Sequence, residues 1–293
     1  MRPQDTAAEA DELRLSLAGM QLKLSAKSEG QGFTIPARGQ GGDWIIKLAG
    51  SLPGLPENEA AMLTWAREAG IDVPDHRLVE IRDIRRMPTD FPQEGTALAV
   101  RRYDRTPGAR VHQEDFAQVL GKPPGDIPKY EGQYETLGLN VLVRAGLEDF
   151  RSLVRRLVFV VLSGNADAHL KNWSLIYPDR IHARLAPAYD LVFVGAYADY
   201  GRRLALKLNR KQRFESIGSA DFRGFAQRVI EKVSATMSSP VALDPIEVEK
   251  WAREDVTRAL DAWATLRSTL PLSTEGKARL DAHLAQIPLA RHE

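Results

Sequence analysis

The strongest constraint on this chain is a change of pattern partway along it. From Leu13 to Arg105, short runs of β-type residues alternate with Gly and Pro punctuation: LRLSL, MQLKLS, GFTIPA, DWIIKLA, HRLVEI and TALAVRRY. One helix interrupts them. It begins after Pro56, places Met62, Trp65, Ala66 and Ala69 at i, i+3, i+4 and i+7, and stops at Gly70. After Arg105 the periodicity turns helical: Leu153, Leu157, Val158, Val161 and Leu162 form one stripe, and Phe222 to Ala235 and Val248 to Leu270 read as further helices. An α+β chain in two lobes follows, with residues 1–12 a flexible lead-in, 13–104 a β-rich N-terminal lobe and 105–293 a mainly helical C-terminal lobe, joined near Tyr103 to Gly108.

At 293 residues the chain is long enough for two lobes that each bury a core. Forty Lys and Arg against 39 Asp and Glu give a formal charge of +1, which argues against a dedicated nucleic-acid or polybasic membrane binder. The absence of Cys removes disulfides, thiol catalysis, iron–sulfur clusters and thiolate zinc sites. The opening MRPQDTAAEADEL lacks the basic and apolar regions of a signal peptide, and the run Leu157 to Leu162 is far short of the roughly 18–20 residues that span a bilayer. The expectation is a cytoplasmic protein with no direct contact to nucleic acid or membrane.

The most informative segment is Ser163-Gly-Asn-Ala-Asp-Ala-His-Leu-Lys-Asn-Trp173, which sets Asn165, Asp167, His169, Lys171 and Asn172 directly behind an apolar helix. Asp167 and Asn172 are five residues apart, the spacing at which phosphotransferase loops place an acceptor-orienting carboxylate and a metal-binding amide. Downstream, Leu185-Ala-Pro-Ala-Tyr-Asp190 ends an apolar run in a second carboxylate, and an amide oxygen plus a carboxylate suit a hard divalent cation on a triphosphate. The competing reading is that these Asn and Asp residues only shape turns and helix caps.

Lys47 interrupts the apolar run Asp43-Trp-Ile-Ile-Lys-Leu-Ala. A buried ammonium there needs a partner, which nucleotide phosphates and a helix glutamate supply. Glu59 shares the stripe of Met62 and Ala66 and faces inward more readily than Glu57. Alternatively, Lys47 is a solvated edge-strand lysine. Ser16-Leu-Ala-Gly-Met-Gln-Leu-Lys23 forms a turn whose backbone amides can cover phosphates, yet it is neither a Walker A motif nor a G-x-G-x-x-G loop. The Gly39 to Gly42 stretch reads as a hairpin loop. His76, His112, His182, His283 and His292 lack metal spacing and read as solvent-facing or capping. Arg101-Arg102 and Arg155-Arg156 read as solvated faces, with a basic rim for an acidic partner the alternative.

Taken in order, Ser16 to Lys23, Ile45 to Lys47, Glu57 to Glu59, Val100 to Arg105, Asn165 to Asn172 and Tyr189-Asp190 resemble the HipA family of serine/threonine-kinase toxins. Gly70 to Pro74, Gln113 to Gly121 and Lys129 to Glu131 are similar to its connecting elements, so the likeness runs from about Arg14 into the C-terminal helices. The resemblance implies a two-lobed protein-kinase-like fold that uses ATP and Mg²⁺. It implies Asp167 as catalytic aspartate, Asn172 and Asp190 as Mg²⁺ ligands, and Lys47, supported by Glu59, on the phosphates. Ala18, Gly19, Met20 and Gln21 would cover the phosphates, Arg101 to Tyr103 would pair with adenine, and Tyr189 with His169 and Lys171 would complete the pocket. Ser16 matches an inhibitory autophosphorylation site, where a phosphate adds about −2 charge beside the nucleotide.

Two departures stand out. The Gly-rich segment already begins at Ser16, which resembles the short HipT form whose missing subdomain is a separate small HipS protein. Where that form carries a second serine, this chain has Ala18. The implied partners are a HipB-like helix-turn-helix antitoxin, a HipS-like protein and an aminoacyl-tRNA synthetase substrate. Two further readings are a kinase-like nucleotide-binding regulatory subunit docked on a DNA-binding antitoxin, and a small-molecule phosphotransferase.

Overall fold

The computed structural model describes residues 21–30, 32–36, 41–125, 127–197, 203–236 and 242–291. Ser16, Ala18, Gly19 and Met20, the LRLSL run, His292 and part of the Gly39 to Gly42 loop lie outside the described residues.

In chain order the elements are β1 (Lys23–Glu29), β2 (Gly32–Thr34), β3 (Trp44–Lys47), α1 (Leu55–Glu68), β4 (His76–Glu80), β5 (Ile84–Arg85), β6 (Thr96–Arg101), β7 (Arg105–Thr106), β8 (Ala109–Arg110), β9 (His112–Asp115), α2 (Phe116–Val119), α3 (Tyr134–Leu162), β10 (Ser174–Tyr177), β11 (Arg184–Leu185), β12 (Arg203–Leu208), β13 (Lys211–Arg213), α4 (Ala220–Thr236), α5 (Pro245–Leu266) and α6 (Thr274–Gln286). A six-stranded sheet in the order β4-β6-β3-β1-β2-β5 makes the β-rich part. Strand β3 lies inside it, antiparallel to β1 and β6, which rules out the solvated edge-strand reading of Lys47.

Helix α1 links the two parts. It ends in a Schellman turn, with Gly70 at φ 79, the Gly70 amide donating to Arg67 O and the Ile71 amide to Ala66 O at 2.9 Å. Its apolar stripe is buried against α3 and α5, where Trp65 is fully enclosed, donates Nε1 to Ala259 O at 2.7 Å, and meets the rings of Phe159 and Trp263 at 4.8 and 4.9 Å. One core cluster therefore runs from α1 through α3, α4, α5 and α6, and a smaller one fills the inside of the β sheet with Ala26, Phe33, Ile46, Leu48, Ala97 and Ala99.

Helix α3 is two helical stretches joined at Gly146, whose φ of 88° and ψ of −176° are open only to glycine. Its second stretch carries the Leu153 to Leu162 stripe. Its first stretch packs Gly138 so closely on Phe225 and Val229 of α4 that an added Cβ would lie 2.9 and 2.8 Å from them. A three-stranded sheet, β11-β10-β9, pairs strands from before and after α3 and leaves no mark in the apolar pattern because they are only two to four residues long.

Candidate active site

The apolar stretch of α3 stops in a second Schellman turn. Gly164 takes φ 58, its amide donates to Val161 O, and the Asn165 amide donates to Val160 O at 3.0 Å. This turn throws the following residues out between α3 and β10, and the loop then builds its own frame. Asn165 Oδ1 accepts the Asp167 amide at 3.1 Å, and Asn172 Nδ2 donates to Asp167 O at 2.7 Å. Tyr134 OH and Trp173 Nε1 both donate to Ala168 O. Asn165 and Asn172 thus do shape a turn, and the turn they shape presents a carboxylate.

Asp167 is 5% exposed, and its Oδ1 accepts the Tyr130 hydroxyl at 2.7 Å. His169 Nε2 lies 3.8 Å from the same oxygen. Burial, reinforced by the Lys129 charge, pushes the His169 pKa down to about 4, so the ring is neutral at pH 7. Asn172 holds the loop through its nitrogen, and that bond does not use its amide oxygen.

The second half of the site is a charge cluster. Lys47, 3% exposed on β3, bonds to both Glu59 of α1 and Asp190, and Lys23 of β1 reaches the other Asp190 oxygen at 3.3 Å. Burial alone would lower the Lys47 pKa, but the Asp190 and Glu59 charges outweigh it and raise it. Burial would raise the Asp190 pKa, and Lys47 and Lys23 overcome it and hold the carboxyl well below the usual range. Burial dominates at Glu59 and pushes it up, with Lys47 opposing.

Asp190 arrives on an extended segment that leaves β11 and is pinned by the Ala186 amide to Ser174 O and the Ala188 amide to Asp72 O. Asp190 itself takes the left-handed φ of 51°. Past it, Asn58 of α1 exchanges two 2.9 Å hydrogen bonds with the backbone of Phe193.

Tyr103 and Tyr189 are stacked at 5.6 Å, and the Tyr189 hydroxyl bonds Ser174 Oγ at 2.6 Å and donates to Lys171 O at 2.9 Å. Burial pushes the Tyr103 pKa up to about 12. Arg101 sits apart, its side chain exposed and 3.5 Å from Asp75, and its amide donates to Asp75 O as that of Arg102 does to Asp43 O. Those two amides are occupied by the sheet end and do not face an open pocket. Gln21 is partly buried at the start of the described chain.

Three residues escaped the sequence reading. Tyr130 lies 37 positions from the carboxylate it bonds, and no local pattern marks it. Asn58 did leave a signal, being a polar residue on the buried Met62–Trp65 face of α1. Arg156 overturns its expected solvated position: it is 7% exposed beneath the site, donates to Ala186 O, and burial lowers its pKa to about 10. Its aliphatic stem fits the α3 stripe, which conceals the buried head. His283 acts as the expected cap, its Nε2 2.9 Å from Val161 O at the end of α3.

Among the described residues no three His, Cys, Asp or Glu side chains gather to hold a metal by themselves. Asn172 and Asp190 supply an amide oxygen and a carboxylate, a hard donor pair that fits a divalent cation whose remaining ligands come from phosphate and water.

A curled β sheet and a helical body, meeting at a buried Lys–Glu–Asp cluster beside an Asp–Asn loop, define a protein-kinase-like scaffold. A model of the HipA-like C-terminal domain matches residues 15–263, and the chain belongs to that family. It is 39% identical over 290 residues to "Putative kinase Y4dM" of Sinorhizobium fredii, covering 97% of this chain and 68% of that protein. It is 29% identical over 220 residues to the serine/threonine-protein kinase toxin HipA of Shewanella oneidensis, covering 67% of this chain and 47% of that one. Among solved structures, the S. oneidensis complex of HipA, HipB and operator DNA superimposes with a TM-score of 0.68 at 24% identity, over 94% of this chain and 64% of that chain. The Helicobacter pylori proinflammatory kinase CtkA gives 0.52 at 13%, over 90% and 91%. The chain spans about half to two thirds of the HipA proteins it matches. No helix among the described residues is long and apolar enough to cross a membrane.

Proposed function

We propose that this chain is an ATP-dependent protein serine/threonine kinase that acts as the toxin of a toxin–antitoxin system. The observation that carries the reading is the convergence of Lys47, Glu59 and Asp190 from three separate elements onto one buried point, with Tyr189, the residue before Asp190, bonded to Lys171 O of the Asp167–Asn172 loop. Nothing in the packing of an apolar core calls for a lysine and two carboxylates there.

In this reading Lys47, held in place by Glu59, grips the nucleotide phosphates. Asn172 and Asp190 hold Mg²⁺, which neutralises charge on the transferring phosphoryl group. Asp167 receives the proton of the acceptor hydroxyl. Tyr103, Tyr189, His169 and Lys171 bound the nucleotide pocket, with Gln21 and the preceding Ala18, Gly19 and Met20 over the phosphates, and Ser16 is an autophosphorylation site. The substrate is a Ser or Thr of a translation protein, an aminoacyl-tRNA synthetase by family likeness. The solved HipA–HipB–DNA complex supports a HipB-like DNA-binding antitoxin as partner, and a HipS-like protein completes the N-terminal side. The site of action is the cytoplasm, residues 13–104 forming the N-terminal lobe and 105–293 the C-terminal one.

The test is transfer of labelled γ-phosphate from MgATP to protein by the purified chain, alongside Asp167→Asn and Lys47→Met. Labelling lost in both variants is expected. Labelling retained in Asp167→Asn overturns the role of Asp167, ATP binding with no transfer in the parent points to a regulatory subunit, and turnover that requires a metabolite points to a small-molecule phosphotransferase.

A further inference from the structure

Arg156 lies on the second stretch of α3, and its guanidinium ends among residues from both halves of the candidate site. Its Nη1 donates to Ala186 O at 2.5 Å in a buried bond. It lines a small cavity that Asn165, Asn172, Ala188 and Tyr189 also border. At about 10 Å³ that cavity has room for one water molecule, so it admits neither a phosphate nor a base. Arg156 therefore acts on the site through its neighbours.

A buried guanidinium with one hydrogen bond costs free energy that an apolar side chain of similar shape does not. Among the described residues no carboxylate lies within 4 Å of Arg156, and the Asp72 and Asp149 charges that oppose its desolvation act from farther away. Asp149 is itself taken by Arg184 Nε at 2.7 Å and by the Leu185 amide at 3.2 Å. Packing alone does not account for such a charge. What it holds is backbone. Ala186 is fully buried, with its amide on Ser174 O at 2.9 Å and its carbonyl on Arg156. The Ala188 amide then reaches Asp72 O at 2.8 Å, Tyr189 bonds Ser174 Oγ and Lys171 O, and Asp190 follows.

We propose that Arg156 is a positioning residue, which by holding Ala186 O from α3 sets residues 186–190 against the Asp167–Asn172 loop and keeps Asn172 and Asp190 spaced for one cation. The proposal rests on the kinase reading of the site. Two donors from separate segments serve a cation such as Mg²⁺ only at near-ideal octahedral geometry. Without Arg156 the Ala186 carbonyl is buried with no donor, a state as costly as a lost hydrogen bond. The segment then shifts to find another donor and carries Asp190 with it.

Arg156→Met keeps the apolar stem and drops the charge and the donors. The measurement is calorimetric binding of ADP to the whole chain, with Mg²⁺ and with a chelator, since the ratio of the two dissociation constants is the coupling between metal and nucleotide. Mg²⁺ is expected to tighten ADP binding in the parent. In Arg156→Met that tightening is expected to fall about fivefold or more, with metal-free ADP binding within about twofold of the parent. Arg156→Lys, which keeps a charged donor on a stem one atom shorter, is expected to hold the tightening within about twofold. A merely structural role lowers the melting temperature and leaves the ratio where it was. If Arg156→Met does not fold, Arg156→Gln, whose polar head falls short of Ala186 O, takes its place with the same readings. Tightening within about twofold of the parent in Arg156→Met, or equal losses in Arg156→Met and Arg156→Lys, overturns the positioning role and leaves the kinase reading standing. Parent binding of ADP that Mg²⁺ does not tighten, or no binding at all, overturns the Asn172–Asp190 cation site and this proposal together.

Discussion

Lys23 and Lys47 face each other directly across the antiparallel β1–β3 pair, and Asp190 bonds to both. Like charges opposite one another ordinarily weaken a sheet. Here a carboxylate from the C-terminal part bridges them while Glu59 of α1 also pairs with Lys47, so the charge at the site also fastens the two parts of the molecule together. Asp190→Asn keeps a residue that tolerates the φ of 51° but removes the charge. It is expected to cost about 3 kcal/mol in denaturant unfolding, the scale for a buried ion cluster that loses one partner, and to abolish phosphate transfer. Asp190→Ala, which adds backbone strain, is expected to unfold at lower denaturant than Asp190→Asn; the reverse order would show that strain at this position is negligible.

The paired bonds between Asn58 and Phe193 fix α1 to the segment that carries Asp190. Asn58 is 1% exposed, so Asn58→Leu leaves a backbone N–H and C=O buried without partners. The expected loss is about 2–4 kcal/mol. Activity is expected to fall further than stability alone explains, because Glu59 sits on the next residue. Equal melting temperatures for parent and variant would refute the clamp.

How much of this could be read without coordinates depends on which forces act locally. Lys47 stood out because it breaks an apolar run and Asp190 because it ends one, Glu59 because it shares the stripe of Met62 and Ala66, and Asp167 and Asn172 by their spacing in a polar cluster behind an apolar helix, all of them local signals. The strands of the larger sheet other than the two-residue β5, and the stripe of α3, stood out because burial repeats at their own period. The β12–β13 hairpin did not, since its turn uses Asn209 and Arg210 at φ 46 and 67 with no glycine to announce it. Tyr130, Asn58 and Arg156 owe their positions to partners 30 to 135 residues away, and that information enters only when the chain closes on itself.

Burial sets an acid limit on stability. His283 beside Val161 O and His76 both have pKa values lowered first by burial, and His169 is lowered to about 4. An imidazole held neutral in the fold takes up its proton first in the unfolded chain, so its contribution is complete above pH ~6.5 and declines as pH falls below that value. Each such proton steepens the loss by about 1.4 kcal/mol per pH unit between the unfolded and folded pKa values. Unfolding free energy is expected to drop between pH 7.5 and 5, and His283→Gln, which keeps a donor for Val161 O but does not titrate, is expected to flatten part of that slope. A variant slope identical to the parent's would mean that His283 is not held neutral.

Gly164 carries the geometric burden of the Asp167–Asn172 loop. Its φ of 58° closes α3, and an added Cβ would lie 3.2 Å from the Phe193 ring and 3.3 Å from His283 Nε2. Gly164→Ala therefore meets both a disfavoured backbone, worth about 1–2 kcal/mol, and two neighbours that are themselves fixed, Phe193 by Asn58 and His283 by Val161. Relief has to come from the turn, and the turn leads into Asn165, which holds the Asp167 amide. Gly164→Ala is expected to lower stability by about 1–3 kcal/mol and to reduce kcat with little change in the KM for MgATP, because Lys47 and Asp190 lie on other elements. A large rise in KM with kcat preserved would show instead that the turn positions the nucleotide.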